Sequence, residues 1–365
     1  PTSNQTLYAK WNINSYNVTY NYSQNGGTSS TKTTATVNYG SSIDLTPTAT
    51  KSGWTFVGWN TNKDATSGLN SLNMSTSNVT LYAIYRKEAV TLTAKFNSNG
   101  ATLSSTSNLT CTLPAVYNNA SQSTSCTVTA PTITRSGYNI IGFNTSASST
   151  ANNGSYNTST KVLTLMASNN NATWYGVTSK AVTITFNKNG ASTQTNASGT
   201  AVSDTTVTRT CTMYNTETTC SVTSPTIVGS SNTPTVVGYN TATSSTTSAW
   251  NQATAKAVSA NATYYAVTRK DAKTITVSFN ANGASSIGST SQSCTIPAVY
   301  NGASQATTCN ITSPTITAPA NTPTVIGWST AAATHSNQWS VNIAKAVSSN
   351  ATYYAQTTLS LIHIS

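Results

Sequence analysis

The chain has 365 residues, of which 6% are charged, against roughly 25% in an average soluble domain. Ser, Thr and Asn fill the polar positions, and 18 Tyr, 7 Trp and many Val and Ile residues favour strands, which excludes charge-driven disorder. The net charge is +11, yet no basic run is longer than Arg86-Lys87 or Arg269-Lys270, so the clustered stripe that nucleic acid requires is missing.

Residues 1–13 contain Gln5-Thr6-Leu7-Tyr8-Ala9-Lys10-Trp11, a phrase that recurs at the close of later segments, and are expected to be the end of a preceding repeat. Four repeats follow, at 16–85, 90–178, 182–268 and 274–357. Each opens on alternating apolar and polar residues: Val18 to Tyr22, Val90 to Phe96, Val182 to Phe186 and Ile275 to Phe279. That period marks a strand with one face buried. Each opening runs into Asn-Gly (Asn25-Gly26, Asn99-Gly100, Asn189-Gly190, Asn282-Gly283), which accepts the positive φ of a tight turn.

A second polar strand comes next, then a proline phrase at Pro131, Pro225 and Pro314, with Pro47 as its looser counterpart. Proline at a strand start needs no ladder donor. The glycine–aromatic phrase follows: Gly58-Trp59-Asn60-Thr61, Gly142-Phe143-Asn144-Thr145, Gly238-Tyr239-Asn240-Thr241 and Gly327-Trp328-Ser329-Thr330. Each repeat closes on an aromatic strand, as in Leu81-Tyr82-Ala83 or Tyr353-Tyr354-Ala355. No window carries a capped helical stripe, although residues 152–168 have room for a short helix or turn. Connectors such as Arg86-Lys87-Glu88 and Arg269-Lys270-Asp271 are too short to be flexible tethers, so a semi-rigid, elongated monomeric array is expected. The last segment, residues 359–365, breaks the composition and resembles a translated sequencing adapter; it is expected to be a non-native tail.

The phrases together resemble the Listeria–Bacteroides repeat, the B-repeat of internalin-type bacterial surface proteins. The first repeat carries the likeness most fully, in Asn25-Gly26-Gly27, the run from Ser52 to Thr61, and Leu81-Tyr82-Ala83-Ile84-Tyr85. The later repeats are longer, carry cysteines and lose the second glycine of the turn. The resemblance implies tandem small β-grasp-like domains, mainly β, in a secreted, wall-associated protein.

The six cysteines fall as local pairs, Cys111 with Cys126, Cys211 with Cys220, and Cys294 with Cys309, each between the opening strand and the proline phrase. The third repeat shortens the intervening segment but keeps both cysteines, as expected if they face each other across the base of a hairpin. A disulfide there suits an extracellular compartment. The competing readings fit less well: zinc usually needs four Cys/His ligands, and a redox pair favours Cys-x-x-Cys.

Catalysis finds little support. The acids are Asp44, Asp64, Glu88, Asp204, Glu217 and Asp271, and the last repeat has none. His335 is the only histidine before the tail, and no cofactor or metal is expected. No stretch approaches the ~18 apolar residues of a membrane-spanning helix. Two non-catalytic functions remain. One is a stalk or spacer at a bacterial cell surface. The other is a multivalent array for host or cell-wall glycans and proteins, with Trp59, Phe143, Tyr239 and Trp328 as candidate stacking platforms. Core anchoring competes with the platform role for these four rings.

Overall fold

The computed structural model describes residues 3–359, so the adapter-like segment lies, apart from Leu359, outside the described residues. By its internal contacts the chain divides into two units. The first runs to Lys180 and includes Tyr214–Thr216; the second takes Ala181–Met213 and continues from Glu217.

The first unit holds two sheets of the same design. Opening strand Ser15–Asn21 pairs antiparallel with Thr34–Asn38 and parallel with closing strand Val79–Lys87. The closing strand pairs on its other side with Thr55–Asn60, which bears the glycine–aromatic phrase. Val90–Asn97 repeats the pattern with Leu109–Leu113, with residues 173–175 and, beyond them, with Asn139–Asn144.

The second unit repeats the pattern again. Residues 184–187 run parallel to Ala262–Lys270, which pairs with Thr235–Asn240. The final sheet has the order Ser291–Ile296, Lys273–Asn280, Ala351–Thr358, Thr324–Ser329. The first and last of these sheets share a parallel central pair flanked by antiparallel strands. The chain is mainly β, with no α-helix among the described residues. Residues 152–168 form Tyr156–Asn157 and Val162–Met166, followed by the 3₁₀ turn Ala167–Asn169.

Short ribbons add a second layer to the sheets: Ser125–Thr129 with Val162–Met166, which also pairs with Tyr156–Asn157, Cys220–Thr223 with Ala255–Val258, and Cys309–Thr312 with Ala344–Val347. Four separate clusters of buried side chains result. They run from Val18 to Tyr85, Leu92 to Trp174, Val182 to Ala266 and Ile275 to Ala355. Leu7, Tyr8 and Trp11, which copy a closing strand in sequence, form no strand and are 91%, 89% and 88% exposed. Their counterparts Leu81 and Tyr85 in the first repeat are buried, Leu81 opposite Tyr20 of the opening strand.

The glycine of the glycine–aromatic phrase has a structural cause. The register slips at this point in all four repeats, between Phe56 and Gly58, Ile140 and Gly142, Val236 and Gly238, and Val325 and Gly327. The glycines adopt φ of 139–144°, and a Cβ on Gly327 would lie 2.5 Å from the Asn337 side chain. No L side chain takes that conformation readily. The bulge turns the following ring into the core.

Candidate functional site

The four rings considered as platforms are core anchors: Trp59 is 1% exposed, and Phe143, Tyr239 and Trp328 are 0%. No ring face is open for a sugar to stack on. The physical reason is the bulge just described, combined with a polar tie at the ring edge. Trp59 Nε1 donates to the Pro47 carbonyl at 2.7 Å, and Trp328 Nε1 donates to the Pro314 carbonyl at 3.0 Å. The proline phrase and the glycine–aromatic phrase are therefore two halves of one core contact. Tyr239 extends its hydroxyl toward Gln194 Oε1 instead, at 3.4 Å, and Phe143 packs edge-on against Phe96 and Tyr156.

The six acids are all exposed, His335 is exposed, and no metal-holding cluster occurs among the described residues. The Asp44 carboxyl is lowered to about 2 by the Thr46 hydroxyl and amide and by Lys32. Burial, with Tyr22 nearby, pushes Tyr85 up to about 12, and burial raises Tyr239 as well. These shifts set a pH profile. A depressed acid stabilises fully above its ordinary value and loses that contribution as pH falls toward 2; a raised tyrosine stabilises below about 10 and loses it as pH rises toward 12. A fluorescence titration is expected to show a flat plateau from pH 4 to 9, with change confined to the two extremes.

The cysteines sit where the main sheet meets the second layer. The structure joins Cys111 to Cys126, Cys211 to Cys220 and Cys294 to Cys309, with Cα separations of 6.0, 5.8 and 5.9 Å. Intact secreted protein is expected to weigh six hydrogens less than the all-thiol chain in non-reducing mass spectrometry. Detection of six free thiols would refute the pairing.

Between each pair the chain projects as a loop whose tip makes a recurring set of polar contacts. The tips are Val116-Tyr117-Asn118, Met213-Tyr214-Asn215 and Val299-Tyr300-Asn301. Each tip asparagine is left-handed, with φ of 56°, 49° and 54°, a conformation that Asn tolerates better than most residues.

Within the first unit, Asn118 fastens onto the first repeat. Its N–H donates to the Tyr85 carbonyl at 2.8 Å and its Oδ1 accepts the Tyr85 N–H at 3.1 Å. Its Nδ2 donates to the carbonyls of Lys63 and Ala65, both at 3.0 Å. Val116 and Tyr117 pair antiparallel with Lys87 and Arg86. Lys51 caps the Asn118 carbonyl while its ammonium lies 3.9 Å from the Trp54 ring centroid.

Asn215, which belongs to the first unit, repeats the contact. It exchanges both bonds with Thr178 and donates to the carbonyls of Ala147 and Ser149. Arg135 caps the Asn215 carbonyl and stacks on Tyr138. In the second unit Asn301 does the same to Thr268, Thr243 and Ser245. Here the cap is neutral. Gly302 N–H donates to Thr233 Oγ1 at 3.0 Å, and Asn232 Nδ2 donates to the Gly302 carbonyl at 3.1 Å.

The Asn-Gly turn of each opening hairpin is the receiving half. Asn25, Asn99 and Asn189 donate to the loop carbonyls of Lys63, Ala147 and Thr243, the same oxygens that accept the incoming asparagine. A carbonyl has two lone pairs and can serve both. The glycine beside each one leaves room for the tip: a Cβ on Gly190 would meet the Asn301 carbonyl at 2.3 Å. Sequence reasoning found the turns and the cysteines but missed this contact. The signal was present in Tyr117-Asn118, Tyr214-Asn215 and Tyr300-Asn301, a dipeptide kept even where the third repeat is shortened.

Among curated proteins the chain is similar to a protein described as a Gly-rich membrane protein from Evansella cellulosilytica, 34% identical over 104 residues. That match covers 27% of this chain and 12% of the relative. Residues 16–84 match the sequence model of the Listeria-Bacteroides repeat domain, which gives the first repeat of this array its family.

Proposed function

We propose that this chain is a non-catalytic repeat region of an extracellular bacterial surface protein, acting as a spacer that holds a functional domain away from the cell. One observation carries the reading. The tip asparagine of each cysteine loop bonds into the repeat before it through the same set of hydrogen bonds, with Asn118, Asn215 and Asn301 alike. A string of independent binding modules has no use for such ties, whereas a spacer gains resistance to local opening. The match of residues 16–84 to a surface-protein repeat, the membrane-protein description of the relative and the disulfides support the location.

The alternative of a multivalent adhesive array loses the ring platforms that would have stacked on sugars, since all four are buried. Glycan arrays and purified cell-wall polymers probed with the full chain are expected to stay silent. Saturable binding to any of them would overturn the spacer reading in favour of adhesion.

A further inference from the structure

The fourth repeat carries a complete receiving site of this kind as an open cleft of about 410 Å³. Much of its wall matches the one that holds Asn301 in the third repeat, with Gln356 in place of Val267 and Ser329 in place of Asn240. Asn282 donates to the carbonyls of Ala332 and Ala355 at 2.7 and 2.9 Å, as Asn189 does to Thr243 and Ala266. Thr322 and Thr357 share a hydroxyl hydrogen bond at 2.9 Å, as Thr233 and Thr268 do at 2.7 Å. The phrase Asn321-Thr322-Pro323-Thr324 reproduces Asn232-Thr233-Pro234-Thr235, whose first two residues grip Gly302. Gly283 keeps the φ of 88° that the turn needs, and a Cβ there would meet nothing within 4 Å.

The cleft is also pre-organised. Gln356 stands where the third repeat has Val267; its Nδ-equivalent amide, Nε2, donates to the carbonyls of Ala331, Ala332 and Tyr354, and its Oε1 accepts the His335 N–H. The side chain is 1% exposed and fixes the loop that supplies the acceptor carbonyls.

We propose that this cleft is a docking site for one ligand class: the tip of a disulfide-closed loop of sequence apolar–Tyr–Asn, presented by a further repeat of the same kind. The incoming asparagine exchanges two bonds with the backbone of Thr357, and its amide donates to the Thr334 carbonyl and takes the place of the long 3.4 Å contact of Gln356 Nε2 at the Ala332 carbonyl. Such a ligand is recognised by left-handed backbone and paired amide donors, which a sugar does not offer. The site does not depend on the spacer reading, because a glycan-binding array would carry it equally.

The test replaces the residues after Thr358 with a second copy of residues 270–358, so that the tip is delivered at high effective concentration. Hydrogen exchange at the Thr357 amide is expected to slow roughly 100-fold, and to return to the unextended rate when the copied Asn301 carries Asn301→Ala. Equal exchange with the two extensions overturns the proposal. Should the added copy not fold, the disulfide-closed peptide of residues 294–309 is titrated onto the unextended chain. Saturable amide shifts at Ala332, Thr334 and Thr357, lost with the Asn301→Ala peptide, support the site. No difference between the two peptides refutes it.

Discussion

Trp328→Ala is expected to cost the fourth repeat about 4 kcal/mol, the range for emptying a large buried aromatic site. The ring is 0% exposed, meets Phe279 edge-on at 4.8 Å and donates to the Pro314 carbonyl. Its backbone also exchanges hydrogen bonds with Trp339 at 2.9 and 3.1 Å, so collapse around the cavity would disturb that bridge. A single small domain has only about 5–15 kcal/mol to lose. Trp328→Phe keeps most of the volume and removes the indole donor, leaving the Pro314 carbonyl without it, and is expected to cost about 1–2 kcal/mol. Denaturation followed at the fourth repeat checks both values. Equal losses for Phe and Ala would show that the hydrogen bond rather than the packing dominates. A negligible loss for Ala would remove the claim that this ring anchors the core.

The parts of the fold that were legible in the sequence are those governed by local chemistry. Alternation at Val18 to Tyr22 or Ile275 to Phe279 marks the buried face of an opening strand, and those residues do line the cores. The Asn-Gly dipeptides lie at turns, with Gly26, Gly100, Gly190 and Gly283 at positive φ. The glycine–aromatic phrase marks a strand in every repeat, although its burial depends on a bulge that composition does not reveal. What stayed hidden depends on partners distant in the chain. Asn118 bonds to Tyr85, which is 33 residues away, and to the carbonyls of Lys63 and Ala65. Backbone carbonyls have no residue signature, so a receiving site made of them leaves no motif.

Asn118→Ala is the substitution that separates a tie between repeats from a feature of one repeat. The side chain is 7% exposed and makes three hydrogen bonds, so truncation leaves the Tyr85 N–H without its side-chain acceptor and two carbonyls with one donor fewer. Leaving buried groups unpaired costs about 1–3 kcal/mol each, and alanine at a φ of 56° adds about 1 kcal/mol of backbone strain. A net loss of about 4 kcal/mol is expected. Its location matters more than its size. The altered residue lies in the second repeat, yet exchange at the Tyr85 amide in the first repeat should accelerate roughly 100-fold or more. Asn118→Asp retains an acceptor for that N–H but points a carboxylate at two carbonyls, and should be no better tolerated. Opening the loop at its base acts on the same bonds from further away. In the chain-entropy account, closing the 15-residue separation between Cys111 and Cys126 contributes about 3 kcal/mol. Cys111→Ala with Cys126→Ala should therefore free the tip and speed Tyr85 exchange in the same direction. If Tyr85 exchange is untouched in both variants, the loop is a local staple and the tie between repeats is absent.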